Sequence, residues 1–446
     1  MQHPITYHTV MLGPMTREGD ALAEITEQDE SGEQRTLTLR VLAGLPGERV
    51  TIAVEAPVSP RARRRRRHWK TRPRRVEITE IHEPSPLRTQ ARCPVFGVCG
   101  GCQLQHMQYQ AQLEWKWSVV RHLLQDIGGF ADPPLLETVP CDDPWQYRNH
   151  MRFSVNRDGQ PGLTARGTHR VLPLTSCPIA HAQINRALRV LSEVSNTRPQ
   201  VLVRCGASSG QVLIQPHPSP EVAQQLVAAG LDLHSEAMEE VLAGETFRIR
   251  PSSFFQTNTA QAEKMVQMVL QGVLCPTSSP LVPARGTTPF TYPQSKDITV
   301  ADVYCGVGTF ALLLARHVGK VFAIEESASA IKDAQWNLSG VSNVEILEGK
   351  TEDLLPALAP QLDGLVLDPP RAGCQQVVLD ALVQHPVTRI VYVSCDPATL
   401  ARDLDVLCHR HPVYHLRSVQ PLDMFPQTAH IECVAVLEHN QTWRYP

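Results

Sequence analysis

The sequence predicts a multi-domain α/β protein with a doubly wound parallel sheet at its C-terminal end, an α+β middle region and a small β-barrel at the start. Three observations predict this. From Thr299 onward, short apolar runs alternate with helical stretches, the rhythm of βαβ units. Residues 5–58 instead alternate apolar and polar positions between closely spaced turns. At 446 residues the chain is also long enough for several cores.

The first strands read as Ala21–Ile25, Thr36–Val41 and Arg49–Val54. Gly19-Asp20, Ser31-Gly32 and Leu45-Pro46-Gly47-Glu48 supply the turns. Short strands at that spacing suit a small barrel over residues 1–58. Residues 59–83 follow as an arginine-rich arm. Positions 61–75 hold ten Lys or Arg and no acid, and removing those ten from the overall charge of −3 leaves −13 on the rest. A block of like charge cannot fold on itself, and on an acidic protein it points to a polyanionic partner, nucleic acid before membrane. The N-terminus lacks the layout of a signal peptide, and no apolar run approaches a membrane span. Twelve cysteines in so long a chain do not make a secreted disulfide framework, so the expected location is cytoplasmic.

The middle region, 84–248, opens with Cys93, Cys99 and Cys102 around Gly100-Gly101, and Cys177 follows alone. Three thiols within ten residues make a metal-binding loop. The set lacks a second Cys-x-x-Cys knuckle and a His pair, so the spacing favours an iron–sulfur cluster over zinc. His106 is read as a loop or helix residue, not a ligand. Tyr109, Leu113, Trp117, Val120 and Leu124 carry helical spacing within 103–125, with a core role. Residues 145–155 mix aromatic and basic side chains, suiting either unstacked bases and phosphates or a plain half-exposed strand. Strands at 200–204 and 210–215 precede a helix near 220–229. Residues 276–298, with five prolines and no periodicity, read as a flexible surface insertion in the last region, 249–446.

In that last region, Thr299–Tyr304 is a strand and Cys305-Gly306-Val-Gly308-Thr309-Phe310 a turn into a helix. A second strand ends at Glu325, and another at Asp368-Pro-Pro-Arg371. Ligands of doubly wound sheets bind past the carboxyl ends of the strands. Glu325 lies where ribose hydroxyls are held, about 20 residues after the acid of the first strand. No Lys-Ser/Thr follows the glycines, which argues against a phosphate-cradling loop. The third glycine of the dinucleotide fingerprint is also missing, so an S-adenosylmethionine site fits better than a nicotinamide one.

Ile390–Val393 reads as a buried strand, and Asp396-Pro397 as the cap and first residue of a helix. Cys395 sits between them. At a helix N-terminus its thiol is expected to be acidified and reactive, against the alternative of a small buried cysteine. Glu432 falls within an apolar stretch, which fits either a functional carboxylate or an edge-strand residue facing water.

Six motifs together resemble the RNA uracil-C5 methyltransferase family, in its iron–sulfur branch acting on 23S ribosomal RNA. They are the Cys93/Cys99/Cys102/Cys177 set, Ser252-Ser-Phe-Phe-Gln256-Thr-Asn258, Asp302-Val-Tyr-Cys-Gly-Val-Gly-Thr, Asp368-Pro-Pro-Arg, Ser394-Cys395-Asp-Pro-Ala-Thr-Leu-Ala-Arg-Asp, and Met424-Phe-Pro-Gln-Thr-Ala-His-Ile-Glu432. The resemblance spans nearly the whole chain. It implies a Rossmann-like methyltransferase sheet, Cys395 as nucleophile and Glu432 as base. It further implies Gln256, Tyr304, Glu325 and Asp368 around S-adenosylmethionine, and the four cysteines as ligands of a [4Fe–4S] cluster. Leu45-Pro-Gly-Glu-Arg-Val50 resembles the small RNA-binding barrel called TRAM. Asp396 departs from the family's usual Asn, and its charge would raise the thiol's pKa. The five arginines at 63–67 exceed the family pattern.

Competing expectations are the same chemistry on transfer RNA or on more than one ribosomal site, a cytosine-C5 methyltransferase, and an RNA-binding module with an inactive catalytic domain. No obligate protein partner is expected.

Overall fold

Apolar alternation builds the first sheet. In β4 (Arg49–Glu55) the residues Val50, Ile52 and Val54 are buried while their neighbours are half or fully exposed, the pattern of a strand with one covered face. The structure, a computed structural model, describes residues 5–28, 34–55, 74–275 and 292–440. It divides into two units. One comprises Met1–Gln112, Thr164–Arg170 and Gln427–Ala429, and the other Leu113–Leu163, Val171–Pro426 and His430–Pro446.

The first unit holds β1 (Ile5–Met11), β2 (Ala21–Gln28), β3 (Gln34–Leu42), β4 and β5 (Arg74–Glu83), in the order β1-β4-β5-β3-β2. Strand β5 pairs antiparallel to β4 and parallel to β3. It was expected as the end of an arginine-rich arm, and this is a correction. Val76 and Ile78 pack into or against the sheet's core beneath a sequence dominated by Arg and Glu. Residues 56–73, which carry most of the basic block, lie outside the described residues.

Helix α1 (Tyr109–Asp126) starts later than the 103–125 periodicity suggests; Leu113, Val120 and Leu124 are buried, as the spacing expects. A six-stranded sheet follows, made of β6 (His150–Val155), β7 (Pro161–Thr164), β8 (Val171–Pro173), β9 (Gln200–Cys205), β10 (Gln211–Gln215) and β11 (Asp232–His234). Its order is β11-β10-β9-β6-β7-β8. Helices α2 (Ala182–Glu193) and α3 (Pro220–Ala228) lie between its strands in the chain, and the hairpin β12 (Met238–Leu242) and β13 (Glu245–Ile249) comes after it. Helix α4 (Thr259–Leu274) is capped by Asn258, whose side chain accepts from Gln261 N–H.

The C-terminal sheet contains β14 (Ser295–Val303), β15 (Val318–Glu325), β16 (Val344–Glu348), β17 (Gly364–Leu367), β18 (Arg389–Ser394), β19 (Tyr414–Leu422) and β20 (Glu432–His439). They are ordered β16-β15-β14-β17-β18-β20-β19. Helices α5 (Thr309–Leu314), α6 (Ala328–Asn337), α7 (Thr351–Leu358), α8 (Gln376–Gln384) and α9 (Pro397–Asp405) connect them. The first five strands in spatial order run parallel, and β20 enters antiparallel between β18 and β19. Val391 and Val393 belong to one core, Ile390 and Tyr392 to the other, so helices cover both faces as a doubly wound sheet requires. β14 begins at Ser295, so the last residues of the expected 276–298 insertion are strand; residues 276–291 lie outside the described ones. Among the described residues no helix is long and apolar enough to cross a membrane.

Candidate active site

At the carboxyl end of β14 the chain makes a turn with three left-handed residues in five: Tyr304 (φ 66°), Gly306 (φ 57°) and Gly308 (φ 85°). Glycine takes this conformation freely, but a bulky tyrosine is strained in it, and such strain concentrates at working sites. A Cβ added at Gly306 would meet nothing within 4 Å, so that side of the turn is open; at Gly308 it would press on Leu338 at 3.1 Å. Glu325, ending β15, accepts from Gly306 N–H at 2.9 Å and from Ser327 N–H at 2.7 Å. Asp302 is fully buried. Its Oδ2 accepts from Ala311 N–H at 2.8 Å, and its Oδ1 has no partner among the described residues. Burial pushes this carboxyl up to about 8, with the charges of Asp368 and Glu325 adding to the effect. An open backbone turn beside an orphaned buried oxygen suits a polar ligand such as an adenosyl cofactor.

At the end of β18 a second turn is built from side chains. Ser394 Oγ accepts from Asp396 N–H at 3.2 Å and donates to Asp396 O at 3.1 Å, bracketing Cys395. Asp396 caps α9 through Ala398 N–H at 3.0 Å, and Pro397 follows, as the sequence suggests. Cys395 is half-buried, and the positive charge of Arg371 lies near enough to its sulfur to favour the thiolate. The thiol is not acidified as the helix N-terminus led us to expect. Burial pushes it up to about 11, the charges of Glu432 and Asp368 add to this, and Arg371 opposes it. A helix terminus contributes only about 0.3–1 kcal/mol, too little against a dry setting shared with two acids.

Glu432 opens β20 and is 4 % exposed. Because β20 is antiparallel to β18, with Cys433 opposite Ser394, its first residue meets the last turn of its neighbour. The alternative of a water-facing edge glutamate is thereby excluded. Burial raises the Glu432 carboxyl well above its ordinary value, Asp368 adds to the shift, and Arg371 lowers it. Asp368, at the end of β17, is itself raised to about 7 by burial. The Cys395 thiol and the Glu432 carboxyl thus share one neighbouring guanidinium, with Asp368 raising both. The group can hold protons in the free protein and release them when the charge balance changes.

The chain leading into Glu432 is anchored from several elements. Lys116 and Asp423 form a fully buried ion pair at 2.5 Å. Lys116 also donates to Phe425 O at 3.1 Å, Asn258 to Met424 O at 3.2 Å, and the Tyr147 hydroxyl to Pro426 O at 3.0 Å. Gln256 lies on the segment ahead of α4, where its carbonyl accepts from Asn149 at 3.0 Å.

In the other unit, Cys93, Cys99 and Cys102 lie on successive turns. Gly101 N–H points to Cys99 Sγ at 3.4 Å, and burial raises the Cys99 thiol, with the neighbouring Cys93 adding. Cys177 belongs to the second unit and is buried, its N–H bonded to Asn185 at 2.7 Å. Among the described residues no three His, Cys, Asp or Glu side chains are grouped so as to hold a metal ion. His106 is buried in a loop, against Phe96, with centroids 5.4 Å apart.

Comparison with known proteins decides the family. Residues 289–440 match the family model described as tRNA (Uracil-5-)-methyltransferase. A protein of Gloeobacter violaceus named as an uncharacterized RNA methyltransferase is 36% identical over 415 residues, 82% of this chain and 86% of that one. The chain belongs to the RNA uracil-5-methyltransferase family. It is an S-adenosylmethionine-dependent RNA methyltransferase. A similarly named protein of Halalkalibacterium halodurans is 32% identical over 81% of this chain and 86% of its own length. The solved Pyrococcus abyssi tRNA (uracil-54, C5)-methyltransferase, in complex with S-adenosyl-L-homocysteine, superposes with a TM-score of 0.67 at 22% identity, covering 96% of this chain and 99% of that one; it shares the fold.

For this methyltransferase, sequence reasoning missed Arg371, Ser394, Lys116 and Asp423 as parts of the site. The Asp-Pro-Pro-Arg motif held a usable signal for the first: a lone cation one turn past a strand-end acid. The Lys116–Asp423 pair, 307 residues apart in the chain, left none.

Proposed function

We propose that the protein transfers a methyl group from S-adenosylmethionine to carbon 5 of a uridine in 23S ribosomal RNA, with Cys395 as nucleophile and Glu432 as base. The observation that carries this is the meeting of Cys395, Glu432, Asp368 and Arg371 at adjacent strand ends. Carbon 5 of uracil is too poor a nucleophile to take a methyl group unaided. Addition of the Cys395 thiolate to carbon 6 forms an S–C6 bond and gives carbon 5 enolate character. S-adenosylmethionine, when bound, supplies the electrophilic methyl. Glu432 then takes the proton left on carbon 5, and the S–C6 bond breaks to free Cys395. The chain's own charges support that order. While the thiolate exists, Arg371 balances it and Glu432 keeps its proton. Once sulfur is bonded to carbon its charge is gone, and Arg371 is left to favour ionised Glu432.

Gln256, Tyr304, Glu325 and Asp368 are the residues we assign to the cofactor, on the open turn that Glu325 holds at Gly306. The TRAM-like sheet of β1–β5, the basic block at 61–75 and the middle region 84–248 would hold and unstack the RNA, with 249–446 as the catalytic region. The cytoplasmic location follows from that substrate. A [4Fe–4S] cluster on Cys93, Cys99, Cys102 and Cys177 rests on the sequence pattern and on the chemistry of four thiolates; no step of the reaction runs through it. Iron and sulfide analysis of protein purified without oxygen tests it.

A second reading, the same chemistry on transfer RNA, is favoured by the tRNA named for both the matched family and the Pyrococcus abyssi enzyme. Methyl transfer to RNA from a strain lacking this gene, mapped by mass spectrometry, separates the two. A 5-methyluridine in 23S RNA supports the proposal, one in transfer RNA alone moves it to the second reading, and no transfer to either overturns both.

A further inference from the structure

Asp403 lies on α9, seven residues after the cap Asp396, so the two share one face about two turns apart. Asp403 is fully buried and spends its carboxylate on three elements. Oδ2 accepts from the Tyr392 hydroxyl at 2.7 Å and from Cys374 N–H at 2.8 Å, while Oδ1 accepts from Arg402 Nε at 2.8 Å. Arg402 in turn donates to Ala372 O at 3.0 Å and to Cys374 O at 3.3 Å. The segment they clasp is a tight turn closed by Gly373 N–H to Pro370 O at 2.8 Å. Arg371 and Ala372 are its two central residues. Gly373 (φ 76°) makes the clasp possible: a Cβ there would fall 2.5 Å from Arg402 Nη2 and 2.7 Å from Asp403 Oδ2.

One short helix therefore holds both the backbone beside Cys395 and the turn that carries Arg371. Its first turn, through Asp396 and Thr399, fixes the backbone beside Cys395. Its second turn, through Arg402 and Asp403, fixes the turn that presents Arg371. A buried carboxylate with every oxygen engaged by a different element is costly to place unless all its donors are held, and such networks specify one arrangement. The Arg371 side chain is exposed and long, so without a fixed base it would lose much of its preference for one geometry.

We propose that Asp403 is a positioning residue for methyl transfer: it locks the 370–374 turn to α9 and thereby sets Arg371 against the Cys395 sulfur. The inference rests on Cys395 being the nucleophile. Its test therefore reads the thiol directly and needs no methyl transfer: alkylation of Cys395 by iodoacetamide as a function of pH, followed on its own peptide by mass spectrometry. Asp403→Asn keeps the size and one acceptor but weakens the clasp. The alkylation profile should move to higher pH, and kcat should fall about tenfold, the range of one charged hydrogen bond, with KM for S-adenosylmethionine within about twofold of the parent. Arg371→Ala should move the profile at least as far, and Asp403→Asn should add nothing to it in the double variant, because both act through one guanidinium. Gly373→Ala, which pushes the turn off an unchanged Asp403, should reproduce the shift. An Asp403→Asn protein that folds with an unmoved profile, effects that add in the double variant, or, where Asp403→Asn fails to fold, an unmoved profile in Gly373→Ala, would each overturn the proposal. Failure of the underlying reading looks different: Cys395→Ala would then methylate RNA at the parental rate, whatever the profiles show.

Discussion

Two strand-to-helix turns stand on the same edge of the C-terminal sheet and are made of opposite materials. The turn after β14 has no capping side chain of its own: it has three left-handed residues and a glycine as the cap of α5, and the carboxylates that hold it, Glu325 and Asp302, reach in from the strands. The turn after β18 contains no glycine and is filled in by its own side chains, with Ser394, Asp396 and Thr399 each bonded to the backbone around Cys395. A turn meant to receive a ligand must leave space uncovered, as it does at Gly306. A turn meant to aim one reactive atom must leave none. The difference separates binding from aiming on a single scaffold, and substitutions can test it.

The largest effect should come from Cys395→Ala. Methyl transfer from labelled cofactor should drop by roughly 10⁴-fold or more, while cofactor affinity by calorimetry stays within about twofold. Gly308→Ala should do the reverse. Forcing a Cβ into a left-handed position costs about 1–2 kcal/mol, and here it also crowds Leu338. Cofactor affinity and melting temperature should fall while the pH profile of Cys395 alkylation stays put. Ser394→Ala removes two bonds around the nucleophile and should cost about 1 kcal/mol in denaturant unfolding, slowing turnover without weakening cofactor binding. A further prediction concerns pH dependence. Asp302 and Asp368, raised to about 8 and about 7, keep protons in the folded chain that the unfolded chain has lost. Stability should therefore decline as pH rises from about 4 toward 8. Asp302→Asn, which keeps an acceptor for Ala311 N–H, should flatten that decline in melting temperature.

Local chemistry was legible in the sequence where it was local in space. The Asp396 cap, Pro397 at the first helical position, the glycine turn and the strand ending at Glu325 all depend on neighbours a few residues away. The state of the Cys395 thiol was not, because it is decided by burial, with Glu432 and Asp368 adding, and only the folded sheet supplies these. Tyr304's left-handed backbone carries no sequence signal, since tyrosine does not advertise it as glycine would. Strand β5 hid behind its arginines and glutamates because a strand needs few apolar residues when only one side is covered.

The direction of β20 has a consequence of its own. Running against its neighbour, it begins where β18 ends, and the pairing of Cys433 with Ser394 brings Glu432 to the turn that carries Cys395. Two groups separated by 36 intervening positions in the chain are thus brought to neighbouring places by hydrogen bonds between main chains, before any side chain takes part. A slip of one position would turn Glu432 to the opposite face and leave sulfur without its carboxylate. The span between nucleophile and base is in this sense counted out in peptide units, and any insertion or deletion inside the strand would be read first as lost chemistry.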